Sequence, residues 1–565
     1  MPTLHWIGKE KVINHHMDVP FKVLEHSYGF DNGTQTEQET NSGNKIIHGD
    51  NLEALKSLLP EYEGKIKCIY IDPPYNTGNE KWIYNDNVND PKIKKWLGDV
   101  VGRESDDLSR HDKWLCMMYP RLKLLHKLLS DNGAIFISID ENEITNLRCF
   151  CSEIFGELNY VSTITVIVKP EGRRYGFFAK THEYILVFAK KSSDLFLNEI
   201  EVEGTKYTYF DNDGGFNLKG LRNRNVKSFN SKNRPNLRYP FYVNINNPDE
   251  NGLFEVSVEP IDDWKEAFAS TVDGLESVWR WGKDKSKNQK NDLVAYLGND
   301  DELRIFQKER KLTQTAKTTW DNKNFHSIRG TKEITEIIGK SIFDFPKPEM
   351  LIRQILTIGT DEEDIVLDSF AGSGTTAQAV LNLNKQDGGN RKFICIEMED
   401  YAETITAERV KRVINGYGSA GSPQAEGTGG SFDFYELGQP MFLEEGNLNE
   451  LVGIEKIRQY VFYTETKENI RFRNDDLRLK GEEIANPKSK IVNNNKHFLG
   501  KHNDTAYYFN YEQDGITTLD HAFLATMKTK AEQYVIYADN CLLTKDFMTK
   551  HHIIFKKIPR DITKF

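Results

Sequence analysis

The stretch Lys67-Cys68-Ile69-Tyr70-Ile71-Asp72-Pro73-Pro74-Tyr75 carries the strongest signal for the fold of this chain. Its apolar first half predicts a buried strand over residues 66–71, so the acid, the two prolines and the aromatic residue follow at the strand's carboxyl end. Open α/β sheets bind ligands outside the carboxyl ends of their strands. The stretch therefore predicts an α/β protein with a functional site directly after this strand.

A second motif lies much later in the chain, at Asp368-Ser369-Phe370-Ala371-Gly372-Ser373-Gly374. It joins a predicted strand, residues 365–367, to a predicted helix from Thr375, and its glycines allow a ligand to approach the backbone. The lysine of a GxxxxGK[ST] phosphate loop is missing, which disfavours a nucleoside triphosphate. Glu397 ends the next predicted strand, where an acid bonds ribose hydroxyls in dinucleotide sites. The motif thus predicts an adenosyl ligand, either a dinucleotide or S-adenosylmethionine.

The two motifs together favour methyl transfer from S-adenosylmethionine to an exocyclic amino group of a nucleic-acid base. The lone pair of such an amine is delocalised into the ring, so Asp72 and the Pro73 carbonyl would accept hydrogen bonds from the amine protons. Pro74 stiffens the turn, and Tyr75 offers a face for stacking. A duplex hides the amine, so the base must be flipped into the site. The alternative is an ordinary Pro-Pro turn and a glycine turn that serves only packing.

The composition indicates a large globular protein. At 565 residues, with 38% hydrophobic and 28% charged residues, the chain has room for about three or four structural units. No apolar run approaches the ~18 residues of a membrane span, and the charged start lacks a signal-peptide core, so we expect a cytoplasmic protein. The six cysteines include no CxxC pair, which favours buried free thiols over a metal site. The net charge of −11 does not exclude DNA binding, because local fields steer a polyanion.

One segment between Gly214 and Pro248 is basic and contains no acid. Its cations are Lys219, Arg222, Arg224, Lys227, Lys232, Arg234 and Arg238. Interleaved with them are the aromatic residues Phe216, Phe229, Tyr239, Phe241 and Tyr242. Such a mixture suits phosphate contacts and base stacking, so we predict that these cations bind DNA. A solvated basic loop is the equally weighted alternative.

Alternating helix and strand signals continue on both sides of this segment. They predict a helix over residues 110–130 that stops at Gly133, a strand over 134–139, and a helix over 141–155 opened by a capping box at Asp140 and Glu143. The predicted segments are an N-terminal arm and linker (1–45), the first part of a catalytic domain (46–190), a target-recognition insertion (191–340), the second part of the catalytic domain (341–415), a flexible linker (416–431) and a C-terminal α+β interaction domain (432–565).

The motifs and their order resemble the β-class amino methyltransferases, in which the acid–Pro–Pro–aromatic string precedes the glycine turn. Longer strings resemble the modification subunits of type III restriction–modification systems. They include LHWIGKEKVINHH, GDNLEALKSLLP, IYIDPPYNTGNEKWIYNDNV, SRHDKWLCMMYPRLKLL, GAIFISIDENEI, THEYILVFAK, FPKPEMLIRQIL and FDFYELGQPMF. The resemblance covers most of residues 1–190 and 340–440 and is weaker elsewhere.

This resemblance implies a doubly wound methyltransferase fold with a circularly permuted motif order, and it implies roles for individual residues. The catalytic clamp would be Asp72, Pro73, Pro74 and Tyr75. The residues implied to bind S-adenosylmethionine are Asp368, Phe370, Ala371, Gly372 and Gly374 for its methionine part, Glu397 for the ribose, Asp50 near the adenine, and Lys347, which with Pro348 closes the pocket.

The leading hypothesis is an N6-adenine DNA methyltransferase acting on double-stranded DNA. The resemblance further implies a homodimer that binds a separate helicase–nuclease restriction subunit. An N4-cytosine methyltransferase fits the same clamp. A DNA-binding specificity subunit without essential catalysis is less favoured, because Asp72 and Tyr75 are both present. An RNA or small-molecule methyltransferase is more distant, since a small substrate would not need the basic insertion.

Overall fold

The computed structural model describes residues 3–77, 91–102, 109–175, 177–202, 206–310, 313–340, 342–418, 425–467 and 496–560. The chain divides into two compact units. The first combines Met1–Asn198 with Lys317–Phe565, and the second is Glu199–Ala316. The second unit lies inside the predicted insertion, residues 191–340, and is shorter at both ends because the flanking residues pack within the first unit.

A mixed sheet of eleven strands, counted over the described residues, forms the centre of the first unit. In chain order its strands are β1 (Lys22–Asp31), β2 (Thr34–Thr36), β3 (Lys45–His48), β4 (Ile66–Ile71), β5 (Leu129–Ile139), β6 (Tyr160–Ile167), β7 (His182–Ala189), β8 (Thr319–Trp320), β9 (Ile365–Asp368), β10 (Lys392–Glu397) and β11 (Ser431–Pro440). They lie in the order β2-β1-β11-β3-β10-β9-β4-β5-β7-β6-β8. The run from β11 to β5 is parallel throughout, and β7 is antiparallel to both β5 and β6.

Helices cover both faces of this sheet. The longer helices are α1 (Asn51–Tyr62), α2 (Pro91–Val100), α3 (Arg110–Leu128), α4 (Ile144–Phe155), α5 (Ser327–Ile338), α6 (Glu349–Gly359), α7 (Thr375–Asp387), α8 (Glu408–Asn415) and α9 (Ile454–Thr466). Ile69 and Ile71 of β4 pack into one core with α1, α3 and α4, because alternate side chains of a strand point to opposite faces. On the other face, Gly359 of α6 approaches Cys68 and Phe136. The architecture is a doubly wound α/β fold, as the sequence predicts.

The position of β9 beside β4 is the feature that matters most for function. Val366 and Leu367 lie opposite Cys68 and Ile69 in a parallel pair. The carboxyl ends of these two strands therefore meet at the same edge of the sheet. The acid–Pro–Pro–aromatic motif follows one strand and the glycine turn follows the other, so the fold joins two motifs that are remote in the sequence.

Two local predictions around β5 are wrong in detail. The predicted helix over residues 110–130 ends at Leu128, and Gly133 lies within β5 instead of stopping the helix. Asp140 and Glu143 form no capping box: the Asp140 carboxylate accepts the backbone N–H of Asn142, and no side chain caps α4. Glu143 is fully buried and is bonded elsewhere, as described below.

The predicted linker at residues 416–431 and the boundary at 432 differ from the structure. Gly416–Tyr417 pairs with Ala425–Glu426, and residues 419–424 lie outside the described part. Strand β11, placed by the sequence in a C-terminal domain, runs between β1 and β3. Strand β1 belongs to the same sheet and not to a separate N-terminal arm. The membership of β1 and β11 in the main sheet could not be recognised from composition, because alternating polar and aromatic residues also suit an isolated hairpin.

The second unit is built on a seven-stranded antiparallel sheet. In spatial order its strands are Tyr209–Asp211, Gly214–Gly220, Leu303–Glu309, Leu293–Leu297, Phe254–Ser257, Phe241–Pro248 and Lys265–Ala267. A core around Trp279 and Phe241 stabilises this unit. A helix, Lys283–Asn288, and two-stranded pairs complete it.

The part of the chain after β11 forms a smaller sheet that packs on α9. Its strands are Phe498–His502, Thr505–Phe509, Gln533–Ala538 and Ile553–Lys557, with short helices at His521–Thr526 and Lys545–Lys550. The aromatic run from Tyr507 to Tyr511 is buried in this region, with Tyr508 fully inaccessible. This run is therefore a packing element and not an exposed docking surface.

Within the described residues, no helix is long and apolar enough to cross a membrane. The same residues contain no group of three or more histidines, cysteines or acids placed to hold a metal ion. All six cysteines are free thiols, and four of them are buried.

We predict that β11 is required for the stability of the first unit. Phe434 of β11 is buried and stacks on Tyr28 of β1, with ring centroids 5.2 Å apart. Phe434→Ala should lower the free energy of unfolding by about 3–5 kcal/mol, the usual cost of truncating a buried phenylalanine. Denaturant unfolding measures this value. Phe196→Ala, at a side chain that is 69% exposed, is the matched control and should change it by less than about 0.5 kcal/mol. Equal stability of the two variants would contradict the placement of β11.

Candidate active site

The carboxyl ends of β4 and β9 border one cavity with about 310 Å³ of empty space, part of it open to solvent. It is lined by Tyr70, Asp72, Phe343, Phe345, Pro346, Lys347, Asp368, Phe370, Ala371, Gly372, Ser373, Thr375 and Thr376. The cavity thus contains the acid of the first motif and most of the glycine turn. The sequence predicted both sets of residues, and the structure brings them together.

Asp72 belongs to a buried cluster of charges with Lys347 and Glu183. The Nζ of Lys347 lies 3.3 Å from Oδ1 of Asp72 and donates a hydrogen bond of 2.8 Å to Oε2 of Glu183. Burial raises the pKa of the Asp72 carboxyl to about 6, although the lysine opposes this shift and Glu183 adds to it. Burial disfavours the charged form of Lys347, but the two carboxylates hold its pKa above the usual range. The lysine is therefore a permanent cation beside an acid that titrates near neutrality.

Tyr75 joins the same cluster through its hydroxyl group. It donates a hydrogen bond of 3.1 Å to Oε2 of Glu183 and accepts one of 2.6 Å from Nζ of Lys347. The Nζ also lies 4.7 Å from the centre of the Tyr75 ring. Burial and the neighbouring acids raise the pKa of the Tyr75 hydroxyl, so this group stays protonated. Glu183 was not predicted from the sequence, because its position in THEYILVFAK does not indicate a contact with Tyr75.

The backbone after Asp72 is held by two buried side chains. The indole N–H of Trp114, on α3, donates a hydrogen bond of 2.6 Å to the carbonyl oxygen of Pro74. Asn76 has a left-handed backbone (φ 58°), and its amide donates a hydrogen bond of 2.5 Å to Oε1 of Glu143. The same Glu143 oxygen lies 2.6 Å from Nδ1 of His111. These contacts fix the turn that carries the clamp and account for the burial of Glu143.

Lys347 reaches Asp72 because its segment packs against α5. A side chain at Gly330 of α5 would collide with the carbonyl oxygen of Pro346, so only glycine allows this approach. Phe345, two residues before the lysine, adopts a left-handed backbone (φ 54°) that non-glycine residues rarely adopt. The segment that the sequence assigned to closing the cofactor pocket therefore also delivers a cation to the clamp.

The glycine turn is organised by two buried acids. Oδ1 of Asp368 accepts the backbone N–H of Phe370, and its Oδ2 accepts the hydroxyl of Thr376 at 2.5 Å. Oε2 of Glu397 accepts the N–H of Gly372, and its Oε1 accepts the N–H of Glu399. Burial raises the pKa of Asp368 to about 7 and that of Glu397 to about 8, although these donors oppose both shifts.

The two glycines of the turn have different surroundings. Gly372 (φ 53°) and Gly374 (φ 81°) both adopt the left-handed backbone that favours glycine. A Cβ at Gly374 would lie 3.0 Å from the backbone oxygen of Thr406, and the Thr406 hydroxyl bonds the carbonyl of Gly372 at 2.6 Å. Gly374 therefore serves the packing of the turn, whereas Gly372 lines the cavity.

Arg409 stabilises the glycine turn by hydrogen bonds and was not predicted from the sequence. It is fully buried on α8 and donates hydrogen bonds of 2.7 Å to the hydroxyls of Ser373 and Thr375 and to Oε1 of Gln378. Burial lowers the pKa of its guanidinium to about 10, which leaves it charged at neutral pH. For an arginine within an amphipathic helix, the sequence does not show whether the side chain is buried against a turn or exposed to solvent.

Asp50 lies at the start of α1, outside the residues that line the cavity. Its Oδ1 accepts the N–H groups of Leu52 and Glu53, so it caps the helix. The neighbouring Asn51 donates to the carbonyl of Ser369 at 3.0 Å and accepts a hydrogen bond of 2.6 Å from Arg121. This link ties α1 and α3 to the glycine turn.

The cavity suits an adenosyl ligand that carries a positive charge. Of the residues predicted to bind the cofactor, Lys347, Asp368, Phe370, Ala371 and Gly372 line the cavity. The other three predicted residues do not line the cavity. Asp50 caps α1, whereas Gly374 and Glu397 shape the glycine turn. Among the described atoms, Oδ1 of Asp72 and Oγ of Ser369 are buried without a hydrogen-bond partner. Aromatic walls, buried acids and a left-handed glycine backbone fit S-adenosylmethionine.

The basic segment of the second unit separates into structural and exposed cations. Arg238 donates to the carbonyls of Ala269 and Ser277, Arg222 contacts the Ser277 hydroxyl, and Lys219 pairs with Glu309. Arg224, Lys227, Lys232 and Arg234 are exposed and make no ion pair within the described residues. The buried amide of Asn230 bonds the backbone of Val226 and Lys232, which gives this loop a defined shape.

The aromatic residues of this segment do not all face solvent. Phe216, Tyr239 and Phe241 are buried in the second unit and so are not available to stack on bases. Phe229 and Tyr242 are partly exposed. Aromatic residues alternating with cations suit both a DNA surface and a small core, and the sequence could not separate the two.

The chain is similar to known DNA-modifying enzymes over more than half of its length. The N6_N4_Mtase family, described as DNA methylase, matches residues 66–408. The EcoPI Mod subunit of a type III restriction–modification enzyme (Escherichia phage P1) is 34% identical over 70% of this chain and 64% of its own length.

Two further relatives agree with this match. The type II methyltransferase M.KpnI (Klebsiella pneumoniae) is 34% identical over 63% of this chain and 81% of its own length. The StyLTI Mod subunit of a type III enzyme (Salmonella typhimurium) is 34% identical over 63% of this chain and 52% of its own length. The chain thus matches less than two thirds of the length of these two type III subunits. The family match covers both motifs of the cavity, and the chain belongs to the N6_N4_Mtase family of DNA methylases.

Proposed function

We propose that this protein transfers a methyl group from S-adenosylmethionine to the exocyclic N6 of adenine in double-stranded DNA. The observation that carries this proposal is the single cavity in which Asp72 and the glycine turn meet. The motif order and the family match support an amino group of a base as the target. The type III relatives support adenine over the N4 of cytosine, which the same clamp would accept.

The clamp residues would act by accepting hydrogen bonds and by excluding water. The ionised carboxylate of Asp72 would accept a hydrogen bond from the target amine and stabilise the positive charge that develops on its nitrogen. Trp114 holds the Pro74 carbonyl, and Asn76 holds the following turn, so the Pro73–Pro74 backbone is preorganised for this contact. Because Lys347 lies near one side of the Tyr75 ring, a flipped base would stack on the opposite face.

The cofactor would bind where the glycine turn and the Phe343–Lys347 segment face each other. Asp368, Phe370, Ala371 and Gly372 would contact its methionine part, and the ordered turn behind them depends on Glu397. When bound, S-adenosylmethionine supplies an activated methyl group on a sulfonium. When ionised, the carboxyl groups of Asp72 and Asp368 place negative charge at the cavity wall, which favours a cationic ligand.

The type III relatives support a proposal about the protein partners of this chain. Because the type III relatives are named as Mod subunits, we propose that the protein is the modification subunit of such a system. It would form a homodimer and bind a separate helicase–nuclease restriction subunit. Light scattering that gives a mass near the 65.2 kDa of one chain for the active enzyme would refute the dimer.

The decisive experiment is incubation with labelled S-adenosylmethionine and mixed genomic DNA, followed by nucleoside analysis. N6-methyl-2′-deoxyadenosine is the expected product, and N4-methyl-2′-deoxycytidine would show that the target base is cytosine. Asp72→Asn should reduce transfer by a factor on the order of 10²–10³, the scale of losing one acceptor or donor in a preorganised site. Calorimetry should show cofactor affinity within about threefold of wild type, since the glycine turn is intact. Asp514→Asn, at an exposed acid, is the control; an active Asp72→Asn enzyme would refute the assignment.

We predict that kcat/KM falls as the pH drops below about 6, the acid limb of the pH profile. Asp72 must be ionised to accept a hydrogen bond from the amine, and burial raises its pKa to about 6. Lys347 lowers the pKa of Asp72, whereas Glu183 raises it, and Tyr75, Tyr70 and Asp368 also lie in this cluster. Glu183→Gln removes a negative charge, so it should move the limb to lower pH. Stopped assays across pH 5–9 with wild type, Glu183→Gln and the exposed control Glu445→Gln measure the shift.

Asp368 and Glu397 also have raised pKa values, about 7 and 8. A limb that responds to Glu183→Gln belongs to Asp72, because Glu183 contacts the clamp and not the glycine turn. An unmoved limb, or one displaced to higher pH, would contradict the proposed coupling.

The exposed loop of the second unit should contact DNA phosphates. We predict that replacing Arg224, Lys227, Lys232 and Arg234 by glutamine weakens DNA binding and lowers the slope of log K against log salt by roughly one per lost contact. Fluorescence anisotropy over a salt series measures this slope. Lys528→Gln with Lys530→Gln, at exposed lysines of the first unit, is the control. An unchanged slope in the loop variant would exclude these four residues as DNA contacts.

A further inference from the structure

A hairpin that leaves the main sheet carries two adjacent phenylalanines in full contact with solvent. Its strands, Arg173–Tyr175 and Phe178–Lys180, pair in antiparallel fashion. The side chains of Phe177 and Phe178 are 102% and 86% exposed. Two neighbouring aromatic side chains that are this exposed indicate a binding surface more than a structural element.

The hairpin lies at the edge of the sheet that bears the clamp. It connects the end of β6 to the start of β7, where Val166 lies opposite Glu183. Glu183 bonds the hydroxyl of Tyr75, so the base of the hairpin and the clamp are neighbours. The second arm, from Phe178 to Thr181, has four residues, which at ~3.3 Å per residue can extend roughly 13 Å beyond the sheet.

The base of the hairpin is held in place, whereas its tip is exposed. The N–H of Ser327 donates to the carbonyl of Val168, and Lys180 forms an ion pair with Glu141 at the end of β5. Gly172 allows the two arms to approach, since a Cβ there would lie 2.6 Å from that of Ala179. The hairpin therefore projects from a base that is fixed to the main sheet and to α5.

The charge of this segment is complementary to DNA. Residues 169–180, KPEGRRYGFFAK, contain four basic residues and one acid. A positive strand pair attracts a phosphate backbone, and exposed aromatic rings at its tip can enter a base stack. A purely apolar protein partner would not require this excess of positive charge.

We propose that Phe177 and Phe178 enter the duplex at the target base pair and occupy the space that the flipped base leaves. This inference rests on the proposed function, because only a base-flipping enzyme creates such a gap. Flipping breaks the stacking of the target base, and inserted apolar side chains replace part of that stacking. The hairpin would thus stabilise the extrahelical base without touching the cofactor.

Methylation rates of the full-length enzyme test this role. The substrates are a duplex with the sequence that the wild type methylates and the same duplex with an abasic site opposite the target base. Phe177→Ala/Phe178→Ala should slow methylation of the intact duplex at least tenfold. The loss on the abasic duplex should be under threefold, because that base is already unpaired. Phe196→Ala, at an exposed phenylalanine outside the hairpin, is the matched control and should leave both rates unchanged.

A binding measurement separates this inference from the proposed function, because it needs no methyl transfer. Anisotropy with short duplexes of mixed sequence should show that the wild type prefers a duplex with an abasic gap and that the double variant does not. A variant that keeps this preference, or that methylates the intact duplex at the wild-type rate, overturns the inference. Equal losses on both substrates with a smaller mass in light scattering would assign the hairpin to a contact between two copies of the chain, which also overturns it. A wild type that shows the binding preference but transfers no methyl group refutes only the proposed function.

Discussion

The hydrogen bonds between β4 and β9 are the constraint on which the rest of this structure depends. Parallel neighbours end at the same edge of a sheet, so this pairing brings the residues after Ile71 and after Leu367 to one cavity. The order of the strands also determines where each helix packs, because α1 and α7 each connect the carboxyl end of one parallel strand to the amino end of another. The meeting of the two motifs in one cavity follows from this single adjacency.

The electrostatics of the cavity depend on how one cation is shared. Asp72 and Glu183 are both within reach of Lys347, and burial removes the water that would otherwise stabilise each carboxylate. The lysine lowers the pKa of Asp72, yet burial dominates and leaves the acid near neutrality. The close packing of Gly330 against Pro346 holds the lysine in this position. Asp72, its counter-ion Lys347 and the wall of the cavity are thus connected through packing.

The sequence predicted the motif-bearing strands and the glycine turn because their signals are local. An apolar run followed by an acid and prolines, and a glycine turn between strand and helix, have few other structural interpretations. It was wrong about Asp140 and Glu143, where a capping-box spacing concealed a buried acid that bonds Asn76. The aromatic residues interleaved with the cations suited base stacking, yet Phe216, Tyr239 and Phe241 are buried. Both differences share a cause, since burial depends on neighbours that are remote in the chain.

The sequence by itself determined the fold class and the family and predicted the clamp and turn residues, because short-range order and residue chemistry suffice for these inferences. Only the tertiary structure decided that Glu183 bonds Tyr75, that Arg409 supports the turn and that β11 completes the sheet. It likewise decided that Phe177 and Phe178 project from the edge where the clamp lies. The physical reason is that each of these contacts joins elements through the strand order of the sheet, and that order is a property of the packed chain.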